Sequence, residues 1–147
     1  MTMLAEPAVA ESLERIIFAG VALTTVAISN ARPGFELTFP QWRVLVVLGA
    51  VRDGLRIGEV ARQIGVTLPA TSRQLRRLER RDLVTVNRDD RDRRAAVARL
   101  TSQGQAVREA IVGYRRALII EVASPFESNP GLRRELERIA DAFSHLR

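Results

Sequence analysis

The sequence predicts a mainly α-helical fold carrying one small β-hairpin, and three observations predict it. Apolar residues recur every three or four positions through most of the chain, which is the helical period. Two short runs of β-favouring residues flank a charged hexapeptide, Asp89 to Arg94, the pattern of a hairpin with a polar tip. The pair Gly65-Val66 separates two short helical stretches as a tight turn would. At 147 residues a single domain is expected, and a chain of that size removes roughly 68 to 70% of its unfolded surface from water. With 46% hydrophobic and 27% charged residues, the composition is that of an ordinary folded chain and not of a disordered or fibrous one.

The elements follow in order. Pro7 suits a first helical position, where a missing N–H costs nothing, and Val9, Leu13, Ile16, Ile17, Val21 and Ile28 then recur near helical period until Pro33-Gly34 stops the helix. Thr38-x-x-Gln41 has capping-box form ahead of Trp42, Leu45, Val46 and Leu48, which predicts a second helix to about Val51, with Asp53-Gly54 as the turn after it. Gly58 to Ile64 places Val60, Ala61 and Ile64 on one face of a short third helix. Thr67 then caps a fourth, Leu68 to Arg81, whose buried stripe is only Thr71, Leu75 and Leu78. Leu83 to Arg88 and Ala95 to Leu100 form the hairpin. Thr101 caps a fifth helix with Val107, Ile111, Tyr114, Leu118 and Val122 on one side, ended by Ser124-Pro125. Asn129-Pro130 opens the last helix, where Leu132, Leu136, Ile139, Phe143 and Leu146 are spaced as an apolar seam. About 24 residues in the first helix give roughly 36 Å at 1.5 Å per residue, close to the span of the whole compact domain. Stripes on helices that long are expected to close against a second copy of the chain.

Composition removes several function classes. The chain has no Cys, which excludes a disulfide scaffold, a thiolate zinc site, a Cys nucleophile and a thiol redox sensor. Its one His, His145, reads as a solvated residue near the end of the last helix, and neither a metal nor a cofactor is expected. The most apolar window, Ile16 to Ile28, falls short of the roughly 20 residues of a spanning helix, and Glu6, Glu11 and Glu14 sit where a secretory signal carries basic residues, so the reading is cytoplasmic with no membrane partner. The net charge is +6, and its placement matters more than its size. Residues 1–55 hold four Arg and five acids, residues 56–99 twelve and six, and residues 100–147 seven and six. A basic centre between nearly neutral flanks is an electrostatic footprint for a polyanion.

A helix–turn–helix over residues 58–81 suits that polyanion, because the major groove of a duplex, about 12 Å wide, admits one α-helix. The N-terminal residues of a recognition helix face base edges, which makes Thr67, Leu68, Pro69, Ala70, Ser72 and Arg73 the candidate readers. Arg76 and Arg77 are assigned to phosphates, while Arg73 suits either a phosphate or a bidentate guanine contact. The competing reading makes the arginines of this helix a solvated face. In the hairpin tip, Asp92 is expected to brace a guanidinium, Arg91 to enter a minor groove, and Arg93 and Arg94 to meet phosphates or the brace; the competing reading is an exposed polar tip. Trp42 reads as a core anchor. Tyr114 reads as a buried tyrosine bonded to a backbone carbonyl, with a place beside a ligand pocket as the alternative.

Thr38-x-x-Gln41-Trp42-x-Val44-Leu45, Ile57-Gly58-Glu59-Val60-Ala61, Ser72-Arg73-x-Leu75-x-Arg77-Leu78-Glu79, Leu83-Val84 and the run from Asp89 through Leu100-Thr101-x-x-Gly104 together resemble MarR-type regulators. The resemblance is strong over residues 38–104 and rests on helix pattern and length in the flanks. It implies a winged helix-turn-helix DNA-binding region, residues 36–100, between dimerisation helices at 5–32 and 101–147 of a single chain. It also implies a homodimer that represses, or sometimes activates, nearby genes and releases DNA when a small aromatic ligand binds. Two departures stand out. Asp82 occupies a position commonly Gly in the family, where Asp still tolerates the left-handed turn, and Gln74 occupies one that is usually apolar. The expected function is therefore sequence-specific binding of a pseudo-palindromic duplex, with a sequence-tolerant DNA-architectural protein as the alternative. An enzyme would need a nucleophile, a metal cluster or a phosphate loop, and the sequence offers none.

Overall fold

The computed structural model describes residues 8–88 and 95–145. Pro7, Leu146 and the hairpin tip, including Arg91, Asp92, Arg93 and Arg94, lie outside the described residues. The chain divides into two compact units, one ending at Arg115 and the other beginning at Arg116.

The first unit opens with α1 (Ala8–Asn30), close to the predicted length. Its helix outruns the apolar stretch seen in the sequence. By length and composition alone, with a mean hydropathy of 1.5 over its most apolar window, α1 would suffice to cross a membrane. Thr24, Ala27 and Ile28 near its end are nevertheless buried against the rest of the unit. α2 (Phe39–Gly49) starts with the expected capping box: the Thr38 hydroxyl accepts the Gln41 N–H at 3.4 Å and the Gln41 side chain accepts the Thr38 N–H at 3.0 Å. α3 (Ile57–Ile64) and α4 (Leu68–Glu79) follow, and then β2 (Val84–Arg88) and β3 (Ala96–Leu100) form the hairpin.

β1 (Leu55–Arg56) is an element the sequence reading lacks. Two residues show no alternation to detect, and their partner lies far along the chain. β3 is the middle strand of an antiparallel sheet ordered β1-β3-β2, with Ala98 opposite Leu55 on one side and Val86 on the other. Gly54, with φ +78, makes that pairing possible, because a Cβ there would collide with the Ala98 carbonyl oxygen.

One buried cluster joins Trp42, Val44, Leu45 and Leu48 of α2, Val60 and Ile64 of α3, Leu75 and Leu78 of α4, Val84 and Ala98 of the sheet, and Val107 and Ile111 of α5 (Ser102–Ala123). Each large side chain in it contributes about 1.5–3 kcal/mol relative to exposure. Trp42 is thus the core anchor expected. Tyr114 is not the buried tyrosine expected: it is 37% exposed, because α5 leaves the core after Ile111 and Val112.

The second unit holds the end of α5, a 3₁₀ turn (Ser124–Phe126) and α6 (Pro130–Ser144). The Asn129 side chain caps α6 by accepting the Gly131 and Leu132 N–H groups, each at 3.1 Å. Leu132, Leu136 and Phe143 of the predicted seam are exposed, and His145 is an exposed C-cap residue.

Candidate nucleic-acid interface

The turn between α3 and α4 is built as the sequence anticipates. Gly65 ends α3 in the left-handed conformation (φ 65), and the Val66 N–H reaches back to the Ala61 carbonyl at 3.2 Å. Thr67 then caps α4, its hydroxyl accepting the Ala70 N–H at 3.4 Å, while Pro69 takes a first-turn place that wants no donor. The narrow stripe Thr71, Leu75 and Leu78 is fully buried and fixes α4 against the core. Arg73, Arg76 and Arg77 are left outward, while Ala70, Ser72 and Gln74 beside the stripe are half-buried.

Of the predicted readers, Thr67, Leu68, Pro69 and Arg73 are exposed, and Ala70 and Ser72 are half-buried. Ser72 turns into a crevice shared with Ile57, Leu75, Arg76, Glu79 and Val86. Arg76 and Arg77 are exposed, and Arg80 joins them. Arg73, Arg76, Arg77 and Arg80, at relative spacings of three, four and seven, share one helix face and line a shallow concavity of about 490 Å³. From sequence Arg80 enters only the competing reading, as part of a solvated face, and not the proposed contacts; its spacing of seven from Arg73 is the signal that places it on this face.

Among the described residues, these arginines lack carboxylate partners, in contrast with Arg62, Arg133 and Arg138. On α3, Arg62 donates to Glu59 at 3.1 Å, and hydrogen bonds from Arg62 and Gln63 hold the Glu59 carboxyl below its ordinary pKa. On α6, Arg133 pairs with Glu137 at 2.9 Å and Arg138 with Glu135 at 3.0 Å. Among the described residues, Arg73, Arg76, Arg77 and Arg80 have no such partner. Glu79, which lines the same concavity, is engaged elsewhere: its Oε1 accepts the Val86 N–H of β2 at 3.1 Å. That bond ties the end of α4 to the hairpin, and sequence reasoning did not find it.

α4 is thus an exposed helix with unpaired guanidinium groups on one face, braced by α3 behind it and followed by a two-stranded wing. Residues 35–95 match the model of the MarR family. Over that segment the chain is similar to the MarR family. The chain is 34% identical over 96 residues to the transcriptional activatory protein BadR of Rhodopseudomonas palustris; the match spans 63% of this chain and about half (55%) of that relative's length. The fold likeness runs further than the matched segment. RV1404 from Mycobacterium tuberculosis superposes with a TM-score of 0.77 at 26% identity, covering 95% of this chain and 97% of that one. A MepR variant from S. aureus bound to an oligodeoxyribonucleotide superposes with a TM-score of 0.68 at 22% identity, covering 97% and 100%. Asp82, at the position commonly Gly in MarR-type chains, adopts φ 55, so the left-handed turn survives the substitution as expected. Gln74, at the usually apolar position, has its Oε1 buried without a hydrogen-bond partner among the described residues.

Proposed function

We propose that this chain is a MarR-type transcriptional regulator, acting as a repressor, that binds a pseudo-palindromic DNA duplex as a homodimer with α4 in the major groove. The single observation that carries this reading is the face of α4, where, among the described residues, four guanidinium groups lack the carboxylate partners that Arg62 of α3 and Arg133 and Arg138 of α6 have. Free, outward cations on a helix narrow enough for a groove are suited to phosphates and guanine edges. Thr67, Leu68, Pro69, Ala70, Ser72 and Arg73 are the proposed readers, Arg76 and Arg77 the phosphate contacts. Arg91, Arg93 and Arg94 are the proposed wing contacts, with Asp92 as their brace.

The homodimer is supported by apolar faces left open on the terminal helices: Ile16, Ile17 and Val21 of α1, and Leu132, Leu136 and Phe143 of α6. A two-fold axis would present two α4 helices to major grooves one helical turn apart, about 34–36 Å. Release by a small aromatic ligand follows from the family resemblance. A ligand that prefers the form unable to bind DNA by tenfold shifts the equilibrium by about 1.4 kcal/mol.

The reading is tested by titrating the chain against a duplex that it selects from a random-sequence library, with scrambled duplex as competitor. A regulator retains at least a roughly thousandfold preference for its own site as salt is raised. A sequence-tolerant architectural protein loses affinity for both duplexes together, and that outcome would replace the proposal.

A further inference from the structure

The arginine that follows the exposed face of α4 behaves differently from its neighbours. α4 ends at Glu79, and residues Arg80 to Leu83 turn the chain into β2, with Asp82 in the left-handed region. This turn is held from two sides. On one side the start of α5 grips it: the Thr101 hydroxyl donates to the Asp82 carbonyl at 2.6 Å, the Thr101 N–H to the Leu83 carbonyl at 3.2 Å, and Gly104 packs so closely on that same carbonyl that a Cβ would collide with it. On the other side Arg81 reaches the connector between α1 and α2. Its guanidinium donates to the Glu36 carbonyl oxygen at 2.9 Å and lies over the Phe35 ring at 5.8 Å, a ring that Arg32 also covers at 5.0 Å.

We propose that Arg81 is a positioning residue for DNA binding: it ties the C-terminal end of α4 to the Phe35–Glu36 connector and so sets the angle at which α4 meets the groove, without itself touching DNA. The inference rests on the reading that α4 enters the groove. Its physical basis is leverage. The first of the proposed base-reading residues, Thr67 to Pro69, sit at the opposite end of a 12-residue helix, about 18 Å away at 1.5 Å per residue. A base contact of about 2.9 Å is no longer a hydrogen bond at about 3.6 Å, so a tilt of roughly two degrees about the turn is enough to break it. A planar fork stacked on a ring resists that tilt; a flexible ammonium at the same place does not.

The test uses the full chain as wild type, R81K, F35L and R76Q. R81K and F35L keep the chain's charge. The probes are a duplex selected by the wild type from a random-sequence library and a scrambled duplex of the same length. Affinity, its slope against salt and the melting temperature are measured for each protein. R81K and F35L each weaken binding to the selected duplex about tenfold, change the scrambled duplex by less than threefold, and leave the salt slope at the wild-type value. Combined, they cost little more than either alone, because each breaks the same contact. R76Q lowers affinity for both duplexes and reduces the slope. The inference is overturned if R81K binds like wild type, if either variant lowers the slope as R76Q does, or if melting temperature falls while the affinity of the folded protein is unchanged. Should R81K fail to fold, F35L decides alone on the same readouts. If the wild type enriches no duplex, the groove-reading proposal fails and takes this one with it. If R76Q behaves as expected while R81K and F35L are silent, only the positioning role fails.

Discussion

α4 and α6 carry the same apolar spacing and end in opposite states. The stripe Thr71, Leu75 and Leu78 of α4 is at most 1% exposed, whereas on α6 Leu136 is 48% and Phe143 43% exposed. The stripe of α4 is covered within the chain by α2, α3 and the sheet, and its arginines are left outward. On α6 Arg133 pairs with Glu137 and Arg138 with Glu135 along the helix, while Leu132, Leu136 and Phe143 are exposed. Periodicity therefore marks a face that must be covered and is silent about what covers it. Charge pairing supplies the second half of the contrast: among the described residues Arg133 and Arg138 of α6 have carboxylate partners, and Arg73, Arg76, Arg77 and Arg80 have none.

The sharpest way to break this contrast is to spoil each stripe in turn. Leu136→Arg on α6 is expected to leave the chain folded but monomeric by analytical ultracentrifugation at micromolar concentration, and to weaken operator binding by at least a hundredfold as the two half-sites cease to be linked. A dimer that survives this change would mean that the open face of α6 is not its interface. Leu75→Ala on α4 is expected to act on stability instead, costing about 2–5 kcal/mol in denaturant unfolding as a cavity opens in the core, with the oligomeric state of the folded fraction unchanged. If Leu75→Ala dissociates the chain and Leu136→Arg only destabilises it, the assignment of the two stripes is reversed.

The same contrast explains what the sequence made legible. Helix starts were readable because their caps are local: Thr38 with Gln41, Thr67 with Ala70, and Asn129 with Leu132 each lie within one turn. The arginine face of α4 was readable because Arg73, Arg76 and Arg77 stand beside a stripe too narrow to bury them. β1 was not readable, since Leu55 and Arg56 are a strand only by virtue of Ala98 and Val97 opposite them. Nor was the fate of Tyr114, because the position at which α5 leaves the core depends on where α2 and the sheet end. The link from Glu79 to Val86 and that from Arg81 to Glu36 join residues that no periodicity connects.

Charge pairing gives the next prediction. Arg76→Ala on the unpaired face is expected to weaken binding and to reduce the salt slope by about 0.9 for each phosphate it no longer neutralises, whereas Arg133→Ala on the paired face leaves both unchanged. Arg73→Ala is expected to relax discrimination at one base position by about 1–3 kcal/mol if it reads a guanine edge, seen as a loss of preference at that position in a repeated selection. Equal salt slopes for Arg76→Ala and Arg133→Ala would remove the distinction between the two helices on which the proposed function stands.

The smallest expected effect tests how complete the burial of α4 is. Gln74 sits between the arginine face and the buried stripe, and its Oε1 is enclosed without a hydrogen-bond partner among the described residues. An enclosed oxygen that has given up water without a replacement partner costs about 1–3 kcal/mol. Leu has similar size and no polar atom to satisfy, so Gln74→Leu is expected to stabilise the chain by about 1 kcal/mol, raising the melting temperature by roughly 2–4 °C. Operator affinity is expected to stay within twofold, since the change adds no charge and removes none of the arginines. A lower melting temperature would show that the amide is held by a bond worth keeping, and the stripe of α4 would then extend from Thr71, Leu75 and Leu78 to a polar fourth member.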